Sequence, residues 1–327
     1  MARSLVIGGT SLIGRPLVEA LLARGDDVTI LHRSPGTPFG DRVTEVRADR
    51  NDPEAVRRAL GSRSFEYAFD NVYDWQRGTT PEQVTGTAEA VVEGLKRYVF
   101  TSSVAVYPEG GAYDEEADLV PASYPNPYAA QKAESERALF RLAQERGIQV
   151  STLRPAFVYG PHNTFERESF FWDRLLAGRP IILPEDGSRT MQWVSAADVA
   201  RAAVLAATEE AGANRAFNLA GDPITQADYV RTLARVAGVE ADLVPVPRET
   251  LMAAGGDLFA PPLYFGVYLD IPPITARGER VRELLGLTLT SLEEGLEETF
   301  RWYQSQERPE PEVTWEDEVL ASVGRGG

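Results

Sequence analysis

Short apolar runs alternate with longer amphipathic stretches through the first half of the chain. Leu5 to Ile7 comes before the helical pattern Leu12 to Ala23, then come Val28 to Leu31 and Val43 to Val46, and helical spacing returns at Pro53 to Leu60. Short apolar runs suit buried strands, and apolar residues recurring three or four apart suit helices that cover a sheet. The rhythm continues with a strand at Tyr67 to Val72, a helix from about Pro81 to Gly94, the strand RYVFTSS, a helix from about Tyr128 to Arg146 and the strand IQVSTLRP. This alternation predicts βαβ units and a large α/β fold, a doubly wound parallel sheet with helices on both faces. After Tyr159 the pattern loosens into Gly, Pro and aromatic residues, with helices expected near Phe170 to Ala177, Val194 to Ala207, Gln226 to Val236 and Leu292 to Tyr303. That half predicts a smaller lobe interleaved with the end of the first domain. Residues 1–160 with a return at about 190–220 form the sheet domain, 161–189 and 221–305 mainly the lobe, and 306–327 an acidic tail expected to be a solvated extension.

Composition narrows the class. At 327 residues and 43% hydrophobic content, the chain has material for a sizeable core. A formal net charge of -16 without any basic run argues against a nucleic-acid partner, which requires clustered Lys and Arg on phosphates. With no Cys and only His32 and His162, neither a disulfide framework nor a thiolate nucleophile is available, and no metal site is expected. The opening MARSLVIGG runs into an apolar stretch too short for a signal-peptide core, and no apolar run of roughly 18 residues follows. The expectation is a soluble, cytoplasmic protein with a small-molecule substrate and no membrane contact.

The first strand runs into VIGGTSLIG before the first helix. Tight turning and free helix N–H groups there make an anion site for a dinucleotide, so Gly8, Gly9, Thr10, Ser11, Leu12, Ile13 and Gly14 are cofactor candidates. Gly8 and Gly14 hold the outer positions of the glycine spacing, while Ser11 stands where a middle glycine usually lets the backbone approach a pyrophosphate. At the end of the second strand, TILHRSP has no acid for a ribose 2′-hydroxyl, and Arg33 offers a fork of donors to a 2′-phosphate. NADP(H) is therefore favoured, with NAD(H) the alternative. In VRADRND, Asp49, with Arg50 beside it, is placed either to bond an adenine amine or to cap the helix at Pro53.

The stretch NPYAAQK sets Tyr128 and Lys132 on one face of a helix. A phenol, with its pKa of about 10, is a poor acid or base unless a cation favours its ionised form, and Lys132 is expected to be that cation. Ser103 ends the strand RYVFTSS, at the carboxyl edge where open α/β sheets bind ligands. The set fits hydride transfer at a carbonyl or carbinol carbon, with Ser103 holding the oxygen and Tyr128 moving the proton.

In the order GGTSLIG, TSSVAVY, Tyr128-Ala-Ala-Gln-Lys132 and LRPAFVYGP, essentially the whole chain resembles the extended short-chain dehydrogenase/reductase family, a Rossmann-type fold. The resemblance implies that Ser103, Tyr128 and Lys132 are catalytic. It also implies that the strand end from Arg154 to Pro161, including Pro155 and Val158, borders a nicotinamide, and that Ser102 and Arg50 join the cofactor contacts. Together with ADRNDP and ERESFFWDRLLAGRPI, it is similar to the NAD-dependent epimerase/dehydratase branch that includes chloroplast stem-loop-binding proteins. Relatives often pair through two helices of the large domain, which implies a homodimer. Dehydratases of the family carry acids just after the catalytic Ser or Thr, and Val104 and Ala105 stand there in this chain. An NADPH-linked reductase is expected, with a nucleoside-diphosphate-sugar epimerase as the alternative. An RNA-binding relative with a vestigial site is disfavoured by the charge.

Substrate candidates are fewer. Arg189 resembles a diphosphate-binding arginine, or is a loop residue paired with Glu185 or Asp186. Tyr73, Asp74 and Trp75 border the nicotinamide ribose or substrate, or merely pack. His162 follows the Gly-Pro of a strand exit within reach of a substrate, or has no role. Glu166, Arg167 and Glu168 form a polar knot expected to orient the lobe. The apolar run of Leu258, Phe259, Leu263, Tyr264, Phe265, Val267, Tyr268 and Leu269 either lines a pocket for a less polar substrate or forms lobe core.

Overall fold

The computed structural model describes residues 1–255 and 271–325, so the apolar run from Leu258 to Leu269 lies outside the described residues. Strands β1 (Arg3–Ile7), β2 (Asp27–His32), β3 (Thr44–Arg47), β4 (Tyr67–Asp70) and β5 (Arg97–Thr101) come first. Next come β6 (Ala112–Tyr113), β7 (Gln149–Pro155), β8 (Phe157–Tyr159), β9 (Ile181–Pro184), β10 (Thr190–Met191), β11 (Trp193–Ser195) and β12 (Arg215–Leu219). Seven of them form one parallel sheet in the order β12-β7-β5-β4-β1-β2-β3. Strand order reverses between β1 and β4, and the crevice outside the carboxyl ends of such a pair is where doubly wound sheets bind ligands.

Successive residues of a strand point to opposite faces, and the core divides accordingly. Val6 packs with Leu17 and Val18 of α1 (Gly14–Ala23) and with alanines of α6 (Ala196–Thr208) on one face. Leu5 and Ile7 pack on the other face with residues of α2 (Pro53–Leu60), α3 (Pro81–Glu89) and α4 (Pro127–Arg146). The helix expected to reach Gly94 stops at Glu89, ahead of the β-branched pair Val91 and Val92 and of Gly94 at φ 77. In the lobe, α5 (Glu168–Leu176) and α7 (Gln226–Ala237) share an aromatic core with the helix Leu292–Gln304, in which Trp193 stacks on Tyr229 at 4.1 Å.

The tail is not a solvated extension. Helix Thr314–Ser322 puts Val319 and Leu320 into a small core with Ile182, Val244, Val246 and Leu251. Its Glu316 forms a buried ion pair with Arg174 of α5, and the Trp315 Nε1 donates to the Ala254 carbonyl at 2.8 Å. Trp315, Val319 and Leu320 lie on one face of the helix, so apolar burial outweighs the acidic composition.

Candidate active site

Helix α4 begins at Asn126, whose side chain accepts from the N–H groups of Tyr128 and Ala129 at 3.1 and 3.3 Å. With Pro127 at its first position, this cap fixes where Tyr128 and Lys132 point. The helix is held to the sheet by a buried pair. Arg154 of β7 donates to both oxygens of Glu136, at 3.0 and 2.6 Å, and to the Tyr107 hydroxyl at 2.7 Å. Arg154, expected along the nicotinamide border, thus anchors the helix that carries the site.

Ser103 follows β5, accepts from the Ala105 N–H at 3.2 Å and stands beside the Tyr128 side chain. Burial raises the Tyr128 phenol above its ordinary value, and Ser103 and the Arg167 charge only partly offset this. Lys132 is buried, with Nζ donating to the Thr101 carbonyl at 2.6 Å and lying 4.6 Å from the Phe100 ring centroid. Burial pushes its ammonium down to about 7. Desolvation thus prevails at both groups, and Tyr128 holds its proton at neutral pH.

At the first turn, Gly8 has φ 83, and a Cβ on Gly14 would stand 1.8 Å from the Gly8 carbonyl oxygen. The backbone folds so tightly that only glycine fits, while Ser11 is exposed and leaves the turn open. Helices α2, α3, α4, α6 and α7 have side-chain caps from Asp52, Thr80, Asn126, Ser195 and Thr225, but α1 has none. In its first turn the Arg15 N–H donates to the Ser11 carbonyl at 2.9 Å and Pro16 has no N–H, so the turn is closed by backbone. Across the switch point, Ser102 Oγ and Asn71 Nδ2 are buried without hydrogen-bond partners. A glycine turn that a Cβ would close, beside orphaned polar atoms, fits a dinucleotide. Thr10, Leu12 and Ile13 line the turn, and Pro155 and Val158 stand at the ends of β7 and in β8.

The far end of the crevice carries an ion network. Asp74 accepts from Arg33 Nη1 at 3.0 Å and from Arg77 Nε and Nη2 at 2.9 and 2.7 Å, as well as from the N–H groups of Gln76 and Arg77. Burial opposes its charge, but these donors hold it at about 2. Asp74 is thus committed to the arginines, which corrects its expected place on a substrate. Asp49 accepts from Arg77 Nη2 at 2.7 Å, and here too hydrogen bonds overcome burial and lower its carboxyl. Asp52, not Asp49, caps α2. Arg33 and Arg77 are 58% and 54% exposed, leaving donors outward. The Arg50 side chain is 3% exposed and paired with Asp70, and its carbonyl accepts from the Thr87 hydroxyl at 3.2 Å.

Tyr73 donates to Gln131 Oε1 at 2.8 Å and meets Tyr128 edge-on. His162, at φ 64, accepts from Arg15 Nη1 through Nδ1 at 2.9 Å and lies against Trp302; burial, then Arg15, lower its pKa. Arg189 precedes β10, where its carbonyl accepts from the Gln226 N–H at 2.9 Å. Sequence reasoning missed Arg77 and Phe165, which no periodicity marks. Among the described residues no group of His, Cys, Asp and Glu is arranged to hold a metal, and no helix is long and apolar enough to cross a membrane.

A doubly wound Rossmann-type sheet with serine, tyrosine and lysine meeting at its carboxyl edge defines the extended short-chain dehydrogenase/reductase class. Residues 4–220 match the model of the NAD dependent epimerase/dehydratase family, and the chain belongs to that family. It is 33% identical over 305 residues to a 3-diazoavenalumate denitrifying reductase from a Streptomyces species, covering 87% of this chain and 95% of that one. It is 28% identical over 249 residues to a chloroplast stem-loop binding protein of 41 kDa from Arabidopsis thaliana, covering 72% of this chain and 62% of that relative's length. Among solved structures, UDP-glucose 4-epimerase from Thermotoga maritima, crystallised with UDP-glucose, superposes with a TM-score of 0.76 at 25% identity, covering 93% and 99% of the two chains.

Proposed function

We propose that the chain is an NADP-linked reductase that converts a carbonyl to an alcohol. The observation that carries this reading is a half-buried Tyr128 phenol that holds its proton beside Ser103, the group that would share the substrate oxygen. Ser103 orients the carbonyl oxygen, and Tyr128 gives it a proton as the carbonyl carbon gains a hydride. A nicotinamide coenzyme, when bound at the glycine turn, supplies that hydride and is left oxidised. Lys132 keeps the end of β5 and helix α4 in register through Thr101.

The coenzyme preference rests on Arg33 and Arg77. Both nearby carboxylates, Asp49 and Asp74, already accept from arginine, so no free acid faces a ribose 2′-hydroxyl, while outward guanidinium donors suit a 2′-phosphate. The reductase relative at 33% identity supports the same direction. A second reading, a sugar-nucleotide epimerase that keeps its NAD through the cycle, is left open by Val104 and Ala105 after Ser103 and favoured by the likeness to the Thermotoga enzyme. The test of the chemistry is Tyr128→Phe. NADPH-dependent turnover of a carbonyl substrate should fall by about a thousandfold or more, with NADPH affinity kept. Retained turnover would remove Tyr128 from its role.

A further inference from the structure

The ring of Tyr128 sits in an aromatic setting that proton transfer does not require. Trp75 stacks on it with ring centroids 4.8 Å apart and planes at 23°, and Tyr73 meets it edge-on at 4.8 Å and 88°. Phe165 in turn stands perpendicular to Trp75, at 5.5 Å and 87°. Trp75 and Tyr73 come from the loop after β4 and Phe165 from the loop before α5, so sheet domain and lobe each supply one wall of a right-angled corner.

Despite these contacts, Trp75 is 59% exposed, an indole surface left in water next to the reacting hydroxyl. Tyr73 spends its hydroxyl on Gln131, so the corner offers ring faces and edges. A sugar would need partners for its hydroxyls and would lose hydrogen bonds to water against such walls. A flat ring gains a stacking face and a perpendicular edge partner, the two arrangements that aromatic quadrupoles favour.

We propose that the site takes a planar, conjugated carbonyl substrate whose ring packs on the exposed surface of Trp75, beside Phe165, while its oxygen reaches Ser103 and Tyr128. The inference rests on the reductase reading and names its substrate class.

The test is calorimetric binding to the NADPH-loaded protein of two alcohols that do not react with the reduced coenzyme, 2-naphthylmethanol and its saturated counterpart decahydro-2-naphthylmethanol. The aromatic alcohol should bind about tenfold more tightly, the size of a good aromatic contact. Trp75→Ala should bring the two within about twofold, whereas Trp75→Phe should keep most of the preference. NADPH affinity should be unchanged in both variants. Equal binding of the two alcohols, no binding of either, or a preference untouched by Trp75→Ala overturns the proposal. Failure of the reductase reading shows separately, in the coenzyme the protein retains. If that coenzyme is NAD(H), the same alcohol pair measured on the NADH-loaded form still judges the corner.

Discussion

Lys132 Nζ donates to the Thr101 carbonyl at 2.6 Å, joining the helix that carries Tyr128 to the strand that ends at Ser103. The bond is made at a cost, since burial holds the ammonium down to about 7 against an ordinary 10.5. The folded chain therefore releases this proton first. From pH 7 toward 10 the unfolded chain binds more protons, and the contribution of Lys132 to stability rises with pH. Below pH 7 the penalty is fully present. Lys132→Met is expected to be more stable than the parent at pH 6 by about 1 kcal/mol or more, with the two converging toward pH 10. Urea unfolding at pH 6, 8 and 10 checks this, and a constant difference across the series would contradict it.

Glu168 shows the opposite sign. Its Oε1 is buried without a partner, Oε2 accepts from Asn163 at 3.2 Å, and burial pushes the carboxyl up to about 7 from 4.5. The folded state binds more protons between those values, so stability from this group is present at low pH and lost as pH rises through about 7. Glu168→Gln should stabilise the protein by about 1–2 kcal/mol at pH 8 and give no gain at pH 5. Thermal melts at the two pH values read the difference directly.

The tail helix offers a test of packing. Glu316→Ala would strand the Arg174 guanidinium, whose side chain is 9% exposed over the Phe170 ring. A loss of about 3 kcal/mol is expected, with most of it recovered in the double variant Arg174→Met/Glu316→Leu, because an unpaired buried charge costs more than the pair contributes. If Glu316→Ala unfolds at the same denaturant concentration as the parent, the tail is not part of the fold.

Gly14→Ala tests the turn. A Cβ there meets the Gly8 carbonyl oxygen at 1.8 Å, so the backbone must open. The variant should lose about 1–3 kcal/mol of stability from overpacking. Its NADPH affinity should drop by about tenfold or more, read by coenzyme fluorescence. Unchanged affinity would separate the turn from coenzyme binding.

Much of this architecture was legible in the apolar rhythm, because strand and helix periods differ and the βαβ alternation repeats. Tyr128 and Lys132 were legible because one helical turn links them in sequence. What escaped was set by distance along the chain. Arg77 reaches Asp49 across 28 residues only after Asp74 has curled its loop. Arg50 reads the same whether exposed or buried until Asp70 arrives beneath it. The acidic tail hid its apolar face, and the partner of Glu316 lies 142 residues away. The lowering of Lys132 depends on burial, which composition does not reveal.

The central claim is an NADPH-linked reductase, and coenzyme selection tests it most directly. The purified protein is denatured to identify any retained nicotinamide, and the coenzyme-free protein is titrated with NADPH and NADH. The account predicts no stoichiometric NAD(H), a preference for NADPH of about tenfold or more from its charge-assisted donors, and loss of that preference in Arg33→Ala and Arg77→Ala. Stoichiometric NAD(H) carried through purification, with no preference for NADPH, would contradict it and turn the search to sugar nucleotides.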